Sequence, residues 1–227
     1  MIIAGHTEQQ GVTIVELMIA TAVFSVVLLI IIYAFMFVTD DYVKGYIQSF
    51  TQATARAIEQ QVATDIELSN GYIGPTQFGP TQSTSSAQGY CIADHRYSFA
   101  LNNEYTGSPS HRNGLLVDTP NGGCTSSTFP QPVLTSSVSQ NSQELLDKNM
   151  ALTCFCISPL NMSNRLYKIE IEVAYGSPPY NGNCSSGSSC STSVLTTGSC
   201  PPLSLGGNFC AYSTLQADVQ QRIVGGN

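Results

Sequence analysis

Residues Leu17 to Val38 read LMIATAVFSVVLLIIIYAFMFV. These twenty-two residues contain no charge, no Gly and no Pro. Thr21 and Ser25 are the polar positions, and in a helix both can bond back to the preceding turn. At about 1.5 Å per residue the run is about 33 Å long, enough for a hydrocarbon core of about 30 Å. A helix in the core of a soluble protein seldom runs so far without a polar face. A cleaved secretory signal would need basic residues before the run and small residues at a cleavage site after it. The first sixteen residues hold no Lys or Arg, and TDDYVKGY follows the run, so the helix is expected to stay in the mature protein.

Just before the run stands Gln10-Gly11-Val12-Thr13-Ile14-Val15-Glu16-Leu17-Met18. This stretch resembles the class III signal of type IV prepilins and pseudopilins: a short leader ending in Gly, an apolar residue, Thr, two aliphatics, Glu and Leu, then a membrane helix. The resemblance implies cleavage between Gly11 and Val12 by a membrane prepilin peptidase, with N-methylation of Val12. It also implies that Glu16, the fifth mature residue, pairs with the N-terminal amine of a neighbouring subunit. The physics fits, because a lone carboxylate in the middle of a membrane costs at least about 2.5–3.5 kcal/mol, and an ammonium partner offsets that cost and fixes axial register. A Glu in a first helical turn is also favoured by the macrodipole alone. Val12 stands where an aromatic is usual, and the leader carries His6 and Glu8 rather than basic residues.

Beyond Val38 the pattern turns amphipathic. Val43, Ile47, Phe50, Ile58, Val62 and Ile66 recur mostly at three- and four-residue steps, with Ala53 and Ala57 beside them. Gly45 is a candidate bend, and Ser69-Asn70-Gly71 supplies stop chemistry. A helix over 12–69 would be about 87 Å long. Its outer part, TARAIEQQVATDI, is similar to the larger minor pilins and the J- and W-type pseudopilins.

From Tyr72 onward the sequence predicts a β-rich head. Candidate strands are Tyr97–Leu101, Gly114–Asp118, Pro132–Val138, Ala151–Ile157, Leu166–Tyr175 and Phe209–Thr214; 140–148 could form a short helix. In Leu166–Tyr175 apolar residues alternate with Lys168, Glu170 and Glu172. All eight cysteines lie here: Cys91, Cys124, Cys154, Cys156, Cys184, Cys190, Cys200 and Cys210. An even count on one side of a membrane helix points to disulfides in an oxidising space. That gives a topology with the N-terminus cytoplasmic and the head extracytoplasmic, at the cell surface or on a pilus. Spacing suggests Cys184–Cys190 and Cys200–Cys210, with Cys154 and Cys156 each pairing elsewhere, as with Cys91 and Cys124. Ten of the twenty residues from Asn181 to Cys200 are Ser or Thr, which reads as a surface loop or a contact or decoration site. Zinc is disfavoured, since no Cys-x2-Cys pair exists and no His lies near 184–210.

Charge is scarce. Eight Lys and Arg stand against fifteen Asp and Glu, a formal net charge of −7. That excludes a nucleic-acid binder working by broad phosphate neutralisation. His95 and His111 sit in no catalytic motif, and no Gly-x-Ser-x-Gly, His-Glu-x-x-His or P-loop pattern occurs. No catalytic residue, metal or cofactor is assigned, and no surface ligand is named.

The resulting expectation is an α+β protein in four parts: leader 1–11, membrane and filament-core helix 12–38, amphipathic helix 39–70 and cysteine-rich head 71–227. By resemblance it is a non-enzymatic filament subunit, minor or tip-associated, whose partners are the prepilin peptidase, other pilin or pseudopilin subunits and the membrane. The alternatives are a signal-anchored surface adhesin that never polymerises and an anchored enzyme.

Overall fold

A computed structural model of the chain describes residues 11–69, 73, 87–92, 94–105, 114–120, 142–161, 163, 165–176, 180–185, 189–194 and 209–222. Among the described residues one helix, α1 (Ile14–Leu68), precedes nine strands: β1 (Ala87–Ile92), β2 (His95–Ala100), β3 (Leu115–Asp118), β4 (Gln143–Glu144), β5 (Met150–Asn161), β6 (Leu166–Tyr175), β7 (Tyr180–Ser185), β8 (Ser189–Val194) and β9 (Ala211–Gln220). The chain divides into two compact units, Met1–Val43 and Lys44–Asn227.

In the first unit α1 is long and apolar enough to cross a membrane by length and composition. Its apolar side chains from Leu17 to Val38 are exposed, apart from a half-buried Met36. The Thr21 hydroxyl donates to the Met18 carbonyl at 3.0 Å and the Ser25 hydroxyl to the Thr21 carbonyl at 2.8 Å. Both polar side chains are thus satisfied within the helix, as a lipid-facing segment requires.

In the second unit the helix carries the head's core on one stripe. Ile47, Thr51, Thr54, Ala55, Ile58, Val62 and Ile66 are buried. Ala53 and Ala57, expected beside this stripe, are exposed, and Ala55 fills the inward position. The two threonines belong to the stripe because their hydroxyls have partners. Thr51 donates to the Ile47 carbonyl at 2.8 Å and Thr54 to Asp147 Oδ2 at 3.3 Å. Gly45 lies within uninterrupted helix.

The stripe packs on two antiparallel sheets. One has the order β1-β2-β3-β4, the other β5-β6-β9. They meet where Glu104 bridges Ala151, with the Asn102 amide on the Leu152 carbonyl at 2.8 Å and the Tyr105 amide on the Met150 carbonyl at 2.7 Å. Tyr90, Tyr97, Phe99 and Val117 from the first sheet and Phe155, Ile169, Ile171 and Val173 from the second share a single cluster with the helix. Phe155 is edge-on to Tyr90 and Phe99, with centroids 5.3 and 5.2 Å away. Such pairs add about 0.5–1.5 kcal/mol beyond burial.

The alternation in β6 sorts its two faces correctly, but the polar face is buried as well. Glu170 and Glu172 are 1% and 6% exposed. Glu172 accepts from Thr153 Oγ1 at 2.8 Å and Thr214 Oγ1 at 3.0 Å, and Glu170 accepts from Gln216 Nε2 at 2.7 Å and pairs with Lys168. Cys154 and Cys156 stand opposite Glu172 and Glu170 in the register, hence on the same face. The β7–β8 hairpin runs beside β5 and β6. It occupies part of the Ser/Thr-rich stretch, which the sequence reads as a loop.

Three polar ties fasten the head. Arg96 and Asp118 face each other across β2 and β3 as a buried, two-pronged ion pair, with Nε to Oδ1 at 2.8 Å. Asp65 of α1 accepts from the Tyr97 hydroxyl at 2.5 Å and meets His95 Nδ1 at 2.7 Å. Burial raises the pKa of Tyr97, and the Asp65 hydrogen bond and charge raise it further, so the phenol stays a donor. After β9, Gln221 Nε2 donates to the Ser69 carbonyl and Arg222 N donates to the Glu67 carbonyl at 3.0 Å. The end of the last strand thereby satisfies carbonyls that the helix terminus leaves open.

Several expectations need correction. The short helix at 140–148 is absent from the described part of that segment. Gln143 and Glu144 instead form β4, opposite Val117 and Leu116. The strand read as Phe209–Thr214 is β9 and runs to Gln220, β5 extends to Asn161, and β1, β7 and β8 were not foreseen. Pro132–Val138, Cys124 and Cys200 lie outside the described residues.

Glu144 also fixes a glycine. Its Oε1 accepts from the amides of Leu115 at 2.7 Å and Leu146 at 3.1 Å. A Cβ on Gly114 would overlap that carboxylate. Gly114→Ala should therefore displace Glu144 and destabilise the protein by about 1–3 kcal/mol. Thermal unfolding in detergent reports this as a lowered midpoint, and an unchanged midpoint would show that the carboxylate moves aside freely.

Candidate functional site

The residues singled out in the sequence as processing and assembly positions fall together at the start of α1. Gly11, Val12 and Thr13 are non-helical and exposed, and the helix begins at Ile14. The Gly11–Val12 bond therefore lies in open backbone directly before a rigid element. A Cβ on Gly11 would meet nothing within 4 Å. The fold itself does not demand glycine there, so any requirement for it belongs to whatever recognises the segment.

Thr13 and Glu16 close a reciprocal cap. The Glu16 amide donates to Thr13 Oγ1 at 3.2 Å, and the Thr13 amide donates to Glu16 Oε2 at 3.3 Å. The Leu17 amide then makes the first helical bond, to the Thr13 carbonyl at 3.1 Å. This is a capping box, with Ser/Thr at the cap and Glu three residues on. The sequence carried the signal in Thr13-Ile14-Val15-Glu16, but reading Glu16 only as an assembly residue or a dipole partner passes over it.

The cap has a chemical consequence. It holds the Glu16 carboxylate against the Thr13 amide, one residue from the Val12 nitrogen. Cleavage after Gly11 would make that nitrogen an ammonium next to a carboxylate already in place.

In the head, Cys91, Cys154, Cys156 and Cys210 are disulfide-bonded, and none of the described cysteines is free. Cys184 and Cys190 are direct cross-strand partners in β7–β8. Opposed residues lie about 4.5–5.5 Å apart, within reach of a disulfide. Among the described residues no cluster of three or more His, Cys, Asp or Glu could hold a metal. His95 is engaged with Asp65 in the tie between helix and sheet. His111 lies outside the described residues.

The N-terminal geometry defines a class: a membrane-capable helix preceded by a short, exposed, capped segment. Comparison with protein families agrees. The model of the prokaryotic N-terminal methylation motif matches residues 7–32. That motif is characteristic of type IV pilins and pseudopilins, and by this segment the chain is pilin-like. The motif implies processing by prepilin peptidase, assembly with other pilin subunits and membrane anchoring by the helix. No curated protein and no solved structure matches the chain.

Thr13→Ala should release one side of the cap and cost about 0.5–2 kcal/mol of local helix stability. Amide exchange of the protein in micelles should show faster exchange at Glu16, with Thr13→Ser close to wild type. Equal exchange in all three forms would contradict the cap.

Proposed function

We propose that this protein is a structural, non-enzymatic subunit of a type IV pilus-like or type II secretion pseudopilus filament. The carrying observation is the coincidence of an open Gly11–Val12 bond, the Glu16 carboxylate held one residue from Val12, and an apolar helix starting at Ile14. Prepilin peptidase cuts between Gly11 and Val12 and Val12 is N-methylated. The helix is the anchor and then the filament core, and Glu16 pairs with the amine of a neighbouring subunit. The N-terminus is cytoplasmic and the head extracytoplasmic.

The head favours a minor or tip-associated position. It is large and carries all eight cysteines of the chain. Its second sheet buries a polar face that carries Glu170 and Glu172, and the β7–β8 hairpin runs beside β5 and β6. Cys91, Cys154, Cys156 and Cys210 are disulfide-bonded, and each bridge contributes about 2–4 kcal/mol to such a head.

Two variants separate assembly from helix capping. Glu16→Ala removes both the carboxylate and one side of the cap, whereas Thr13→Ala weakens the cap and keeps the carboxylate. Glu16→Ala should insert in the membrane normally but fall at least tenfold in sheared filaments, while Thr13→Ala incorporates near the wild-type level. Equal incorporation of Glu16→Ala would remove the pairing role, and absence of the wild-type protein from filaments would favour a non-polymerising surface adhesin.

A further inference from the structure

Two Asn-x-Ser/Thr triplets occur in the chain, Asn161-Met162-Ser163 and Asn183-Cys184-Ser185. This triplet is the acceptor pattern for N-linked sugar, and the bulk of a glycan demands an exposed turn. The fold treats the two very differently. Asn161 closes β5 at the mouth of the β5–β6 hairpin, opposite Leu166. Asn161, Ser163 and Arg165 are all exposed. The Ser163 amide donates to Asn161 Oδ1 at 2.9 Å, an Asx turn. That bond fixes the amide oxygen on the turn side and sets Ser163 beside the acceptor. Asn183 instead lies inside β7, opposite Ser191, in an extended ladder that runs beside β5 and β6.

We propose that Asn161 is an N-glycosylation site and that its donor is an oligosaccharide linked to a lipid pyrophosphate. In the transfer, Nδ2 forms a bond to the anomeric carbon as the anomeric C–O bond to pyrophosphate breaks. The lipid pyrophosphate leaves with the electron pair and Nδ2 loses one proton to a base, so no oxidant or reductant is needed. The sugar would cover the hairpin tip, where Leu160 is 50% exposed, and add hydration to a head poor in charge. The inference rests on the extracytoplasmic head of the proposed function, because such donors are consumed outside the cytoplasm.

The test uses the full protein extracted from its own membrane. Tryptic peptide 149–165, which contains Asn161, is weighed, and protease accessibility of the head in intact cells is measured alongside. The expected result is an accessible head and a sugar increment on peptide 149–165, with none on the peptide containing Asn183. Asn161→Gln and Ser163→Ala should each abolish the increment, and Ser163→Thr should retain it. An accessible head with an unmodified 149–165 peptide overturns the site, as does an increment that survives Asn161→Gln. A head shielded from protease overturns the export reading instead, and the site with it.

Discussion

A single helix has to satisfy two solvents, and that constraint organises the molecule. From Leu17 to Val38 every apolar side chain faces outward except for partial cover at Met36, and the Thr21 and Ser25 hydroxyls are satisfied within the helix. Water cannot stabilise such a segment; lipid or the apolar helices of other subunits can. From Ile47 onward the same helix changes character and buries a stripe through Ile66 under two sheets. The helix start must also be finished off where charge is costly, and the mutual cap of Thr13 and Glu16 does this. The assembly chemistry implied by the motif is therefore built on a residue pair that already has a local task.

Although the chain has few charges, several polar pairs help to hold the head. Arg96–Asp118, Asp65–Tyr97 and the pairs around Glu170 and Glu172 are all at least partly buried. Removing one member of such a pair strands the other away from water, which costs far more than the intact pair contributes. These ties select one arrangement of helix, sheets and chain end. The disulfides at Cys154 and Cys156 lie on the same covered face as the two glutamates.

What the sequence made legible follows from signal strength. A bilayer-length apolar run and a Gly-to-Glu spacing are local patterns, and both read directly. The strand Leu166–Tyr175 was equally plain, with the bounds found in the structure. The polarity of Glu170 and Glu172 does not reveal their burial, because their partners Thr153, Thr214 and Gln216 stand on strands distant in sequence. Thr51, Thr54 and Ala55 escaped the stripe because a threonine with its hydroxyl satisfied behaves as a core residue, which no residue-by-residue scale records. The β7–β8 hairpin was missed because Ser, Gly and Asn carry little strand propensity; its pairing comes from register and neighbours rather than composition. The capping box is legible as Thr13-x-x-Glu16, and its Glu is the same residue to which the motif assigns the assembly role.

The most direct test of the account is the mass of the mature N-terminus in protein taken from its native membrane. The expected mass is that of a chain that begins at Val12 and carries one methyl group on its amine. A native chain that still begins at Met1 would contradict it.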